Sequence, residues 1–129
     1  ICSNGKRNKT VICVVEGTRD VIAFEKSATY NGVYHVLGGK IDPLNGVTID
    51  DLNIDKLINR INIDNVEEVI LALNPDLEGE TTALYLTRAL KNKDIKVSQI
   101  ASGIPIGGNI EFIDMATLVK SLEGRKSVK

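Results

Sequence analysis

The sequence predicts an α/β protein built on a mostly parallel four-stranded sheet with helices on both faces. Short β-branched apolar runs alternate with segments whose apolar residues recur at helical spacing. Strand and helix alternate three times, which favours right-handed strand–helix–strand units. The third apolar run, Val69 to Leu73, ends abruptly in Asn74-Pro75-Asp76-Leu77-Glu78-Gly79-Glu80. Polar and acidic residues in that position belong to the carboxyl edge of an open sheet, where such folds hold their ligands.

The elements follow in order. Val11 to Val15 reads as a short buried strand. Thr18 is placed to cap a helix carrying Val21, Phe24 and Ala28 on one face. Val33 to Leu37 reads as a second strand, closed by Gly38-Gly39. A connection from Gly38 to Thr48 follows, longer than packing requires, with Pro43 and Asn45-Gly46 as turn signals. Thr48 and Asp51 have capping-box spacing. Ile54, Leu57, Ile58 and Ile61 then give the clearest amphipathic pattern in the chain. After the strand Val69 to Leu73, a helix is expected from Leu77 to Lys91, with Ala83, Leu86 and Leu90 inward. Lys96 to Ala101 alternates as a fourth strand. Gly103 to Asn109 is loop-like, and Asp114 starts a last helix bearing Met115, Leu118, Val119 and Leu122, which Gly124 ends.

At 129 residues, with 43% apolar and 26% charged residues, the chain has the make-up of a single globular domain. No apolar run approaches membrane-spanning length, and nothing resembles a signal peptide. A net charge of −1 argues against bulk attraction to nucleic acid. Basic clusters lie at the two ends: Lys6, Arg7 and Lys9, then Arg125, Lys126 and Lys129. They read either as solvated termini or as local contacts to DNA. Two cysteines are present. Cys13 lies inside an apolar run and reads as a core residue, whereas Cys2 sits among polar and basic residues. A disulfide framework is not expected, and the composition is typical of the cytoplasm.

Glu16 directly follows the first strand and is expected to converge with Asp76 and Glu78 at the carboxyl edge. Three carboxylates there suit Mg²⁺, which takes one or two carboxylates with water and phosphate oxygens. The alternative is that Glu16, Asp76, Glu78 and Glu80 only complement helix N-termini, where negative charge is favoured. Asn74 divides these readings, because it places an amide where a metal site would want a charge. His35, the only histidine, reads as a hydrogen-bonded strand residue. The glycine pairs at 38–39 and 107–108 lack phosphate-loop context and read as turns.

A strand ending in Glu, followed later by a strand ending in Asp-x-Asp with Gly close behind, resembles the Toprim domain of topoisomerases, primases and some nucleases. Asn74 to Glu80 is similar to the D-P-D-R-E-G-E run of type IA topoisomerases, with Asn for the first Asp and Leu77 for the Arg. Further segments are similar to the RecR family of bacterial recombination mediators. These are Val14-Val15-Glu16, Arg19-Asp20-Val21, Tyr34-His35-Val36-Leu37-Gly38-Gly39 and Ile41-Asp42-Pro43-Leu44, then Val69 to Pro75, Glu78 to Leu86, Gly103-Ile104-Pro105-Ile106-Gly107-Gly108 and Leu122-Glu123-Gly124-Arg125.

The RecR resemblance implies a zinc-finger remnant and linker at 1–9, a Toprim domain at 10–102 and a C-terminal oligomerisation segment at 103–129. Cys2 would then be the fourth ligand of a zinc finger that, with a helix-hairpin-helix, precedes the domain in this family. It further implies a non-catalytic DNA clamp, a ring of two or four subunits. Such a clamp binds RecO and RecF and loads RecA onto single-stranded DNA in recombinational repair. Partner contacts are expected at Glu16, Asn74, Asp76, Glu78 and Glu80. DNA contacts are expected at Lys6, Arg7 and Lys9. A weakly held Mg²⁺ on Glu16, Asp76 and Glu78 is the cofactor expectation besides zinc. The competing expectation is a Mg²⁺-dependent phosphoryl-transfer enzyme, with Glu16 as acid/base or ligand and Asp76 and Glu78 on the metal.

Overall fold

A computed structural model of the chain describes residues 5–39, 54–74, 76–101, 103–105 and 107–128. The expected capping box at Thr48 and Asp51, Cys2, and all of the 38–48 connection beyond Gly39 lie outside the described residues. The chain forms two compact units, Ile1–Gln99 and Ile100–Lys129.

The first unit holds strands β1 (Asn8–Val15), β2 (Gly32–Val36), β3 (Glu68–Leu71) and β4 (Lys96–Gln99). Between them run helices α1 (Thr18–Ser27), α2 (Ile54–Ile63) and α3 (Leu77–Ala89). The strand order is β2-β1-β3-β4, and each of the three pairings is parallel. The sheet is therefore fully parallel, where the sequence predicted a mostly parallel one.

Alternation along the central strand builds two cores. Ile12 and Val14 face one way, packing in a cluster with Leu57 and Ile61 of α2 and Ala83 and Leu86 of α3. Cys13 and Val15 face the other way, with Tyr34, Ala72 and the partly buried Val21 and Phe24 of α1. This period of two explains why the strand reads as an unbroken apolar run: both of its faces are covered. Cys13 is a core residue as expected, and burial, helped by the nearby Asp20 charge, pushes its thiol up to about 11.

Several element ends differ from the expectation. Thr18 is the first residue of α1, and its N-cap is Gly17, whose N–H donates to Asp20 Oδ2 at 3.1 Å. Ala28, expected on the inward face, is exposed and caps the helix in the left-handed region at φ 55°. Its N–H turns back to the Glu25 carbonyl at 3.2 Å, ending the helix just before β2. The third strand ladder stops at Leu71, although Ala72 and Leu73 remain buried and the Ala72 N–H bonds the Val14 carbonyl at 2.9 Å.

In the second unit, a 3-10 turn at Ile110–Phe112, additional to the expected elements, precedes α4 (Met115–Glu123). Asp114 caps α4 as predicted, taking the Thr117 N–H at 2.9 Å and the Thr117 hydroxyl at 2.7 Å. That hydroxyl contact, with the N–H behind it, holds the Asp114 carboxyl below its ordinary range. None of the residues of α4 is buried; Leu118 is half-buried, and Met115, Val119 and Leu122 are exposed.

Candidate functional site at the carboxyl edge of the sheet

The path of the chain fixes where this site forms. From β1 it passes to β2 on one side, then crosses to β3 on the other, so the connections leaving the carboxyl ends of β1 and β3 run to opposite sides. Such a switch point leaves a crevice above the sheet. Val14 is in register with Leu71, so Glu16 and Asn74 emerge side by side. The Glu16 carboxylate closes the gap: its Oε2 accepts the Asn74 N–H at 2.7 Å.

The loop then tightens. The Asp76 N–H bonds the Asn74 carbonyl at 2.9 Å, and Asp76 becomes the N-cap of α3 with extended backbone. Its Oδ1 accepts the Gly79 N–H at 2.7 Å, satisfying an otherwise orphaned donor of the first turn. Gly79 is required for steric reasons. A Cβ there would run into the Asn74 carbonyl and come 3.0 Å from Asp76 Oδ1. Lower in the helix, the buried Thr82 returns its hydroxyl to the Glu78 carbonyl at 2.8 Å. Glu78 is half-buried, Asn74 and Glu80 are exposed, and Leu77 is 79% exposed beside them.

The structure thus brings Glu16, Asn74 and Asp76 together, with Glu78 and Glu80 on the following turn. It does not arrange Glu16, Asp76 and Glu78 as the expected Mg²⁺ site. Among the described residues no group of three or more His, Cys, Asp or Glu is placed to hold a metal ion. Glu16 and Asp76 instead direct carboxylate oxygens at backbone N–H groups, and Asn74 adds no charge.

The basic residues expected to touch DNA separate in the same way. Lys6 and Lys9 are exposed. Arg7 is turned inward instead, and its guanidinium forms a two-pronged ion pair with Glu25 of α1. It also reaches the carbonyls of Gly32 at 3.2 Å and Tyr30 at 3.4 Å. Glu25 accepts the Tyr34 hydroxyl at 2.6 Å as well, so Arg7 and then Tyr34 hold its carboxyl below the ordinary range. The Tyr30 hydroxyl lies 2.7 Å from the Val33 carbonyl oxygen, and its ring meets that of Tyr34 edge-on at 5.1 Å. Burial raises the pKa of both phenols. His35 is buried, with Nδ1 3.4 Å from Arg60 Nη1, whose other reach is the Tyr34 carbonyl at 2.7 Å. Sequence reasoning missed this network because Arg7 and Glu25 are 18 positions apart and neither carries a motif.

The Toprim domain family matches residues 10–101. The chain belongs to the Toprim family. Directly after the domain, residues 103–126 match the family described as RecR, C-terminal.

Proposed function

We propose that the chain is a non-catalytic recombination mediator subunit of the RecR type. It meets RecO, and RecF, at the carboxyl edge of its Toprim sheet, and so helps load RecA onto single-stranded DNA. The observation that carries this reading is the hydrogen bond from the Asn74 N–H to Glu16. It commits the carboxylate that a Toprim enzyme would use as acid/base or ligand to holding a loop. Asp76 is likewise committed to capping α3. Glu78 and Glu80 carry further negative charge at the rim, suited to a basic partner surface. The RecR C-terminal match at 103–126 supports the same reading. The exposed Met115 and Leu122 of α4 support self-association of that segment.

Incubation with supercoiled and single-stranded DNA in Mg²⁺ or Mn²⁺ tests the absence of catalysis. No relaxation or cleavage is expected, and turnover abolished by Glu16→Gln would sink the proposal. Titration with RecO tests the partner. Glu78→Lys is expected to weaken binding and Glu16→Gln to leave it nearly intact; undiminished binding by Glu78→Lys would remove this edge from the contact.

A further inference from the structure

The outer face of α3 begins at the acidic rim and runs on beyond it. Its inward face is complete: Gly79, Thr82, Ala83 and Leu86 are buried, and Leu90 behind them is 1% exposed. On the opposite face, Leu77 is 79% exposed and Leu84 is 54% exposed. The two leucines are seven residues apart, about 10.5 Å along the axis and on one stripe of the helix. Thr81 lies between them, and its hydroxyl is returned to the Leu77 carbonyl at 2.8 Å. Glu80 and Arg88 complete the stripe and are exposed. Along the axis the stripe runs Leu77, Glu80, Thr81, Leu84 and Arg88, with its acid in the first half and its base at the far end.

We propose that this outer face of α3 docks an amphipathic helix of a partner protein, laid antiparallel, with basic residues toward that helix's C-terminus. The inference rests on the partner-binding reading above and adds to it the chemistry of the partner segment. Antiparallel packing sets the partner's C-terminal turn against Glu78 and Glu80. Helices favour Lys and Arg in that turn. The partner's N-terminal turn, where acids are favoured, then meets Arg88. The partner's apolar stripe covers Leu77 and Leu84, the helix-in-groove mode in which anchors recur at helical spacing.

A second copy of α3 fits this stripe poorly. Pairing Leu77 with Leu84 of the copy puts the two-fold axis between positions 80 and 81. The two Glu80 carboxylates would then face each other, and like charges so placed repel.

The probe is a synthetic helix of about 18 residues, roughly 27 Å long, with a leucine stripe and lysines in its C-terminal half. A second peptide reverses the order of charges. Binding to the whole chain is measured by fluorescence anisotropy at low salt, beside a titration with RecO. The first peptide is expected to bind and the second to bind more weakly. Leu77→Glu and Leu84→Glu are each expected to weaken the first peptide and RecO by about tenfold or more, as anchors of an interface do. Ile63→Glu is the control, since Ile63 is 76% exposed at the end of α2, off the stripe, and should change nothing. Circular dichroism checks that each variant is folded.

Binding unchanged by both leucine variants overturns the proposal, and so does equal affinity for the two peptides. If RecO does not bind the unaltered chain, the partner reading fails while the peptides still decide the surface. A dimer in sedimentation that Leu77→Glu dissociates, with no peptide binding, would make the stripe a self-contact and also overturn it.

Discussion

At the amino end of the sheet, Glu25 takes its hydrogen bonds from the side chains of Arg7 and Tyr34; at the carboxyl end, Glu16 and Asp76 take theirs from backbone N–H groups. The first arrangement is packed beside aromatic rings, with the Tyr34 ring 5.1 Å from that of Tyr30 and 6.4 Å from that of Phe24. The second is open to solvent and carries Leu77, 79% exposed, at its lip. Both ends approach so closely that a glycine is needed. Gly32 lies under the Tyr30 hydroxyl and the Val11 carbonyl, and Gly79 under the Asn74 carbonyl. The amino end fastens the chain to itself, whereas the carboxyl end fixes a loop in place and leaves its outer surface for something else.

Substitutions sort the two ends by size of effect. Gly79→Ala should be the most damaging, because the added Cβ meets backbone that cannot swing aside. A loss of about 2–3 kcal/mol is expected in urea unfolding; a change near zero would mean that the loop is not held as described.

The amino end should show itself next, through pH. The Glu25 carboxyl is depressed below its ordinary 4.5, so its contribution is present above that pH and is lost as pH falls through the depressed value. The Tyr34 phenol is raised above its ordinary 10.0, chiefly by burial and then by Glu25. Its contribution is present below pH 10.0 and is lost as pH rises past it. Thermal melts of Arg7→Ala should therefore lose stability at neutral pH and show a shallower acid decline than the unaltered chain. Tyr34→Phe should flatten the alkaline decline.

Asp76→Ala should cost about 1 kcal/mol as a lost N-cap, with Asp76→Asn recovering most of it in the same urea assay. Smallest of all, Glu16→Gln keeps an oxygen to accept the Asn74 N–H, and its unfolding midpoint should nearly coincide with that of the unaltered chain. Glu16→Ala should lose about 1 kcal/mol. If Glu16→Gln is as damaging as Glu16→Ala, the negative charge itself matters, and the contrast between the two ends narrows.

Much of this fold was legible in the chain. The run that became β1 is apolar because it lies in the middle of a sheet covered on both faces, and α2 shows its inward side through Ile54, Leu57 and Ile61. The meeting of Glu16 with the Asn74 loop followed from parallel order. What each carboxylate would do there did not, since side-chain direction over the last few ångströms is set by the loop geometry around Gly79. The cap of α1 was misplaced by one residue because Gly17 and Thr18 are both acceptable N-caps, and Asp20 selects Gly17. Ala28 was misread because a helical spacing count runs on past the turn that ends the helix. The Ile110–Phe112 turn, with Asn109 at its N-cap, is too short to show a helical period in the sequence.

Cys13, 2% exposed in the middle of the central strand, has a consequence for watching this protein open. Its thiol, pushed up to about 11, is almost wholly protonated at neutral pH and is walled off from any reagent. In a Cys2→Ser background it is the sole thiol in the chain. The rate at which a thiol reagent in excess labels it then counts how often the centre of the sheet is uncovered. Gly79→Ala should quicken that count, and a helix bound along α3 should slow it.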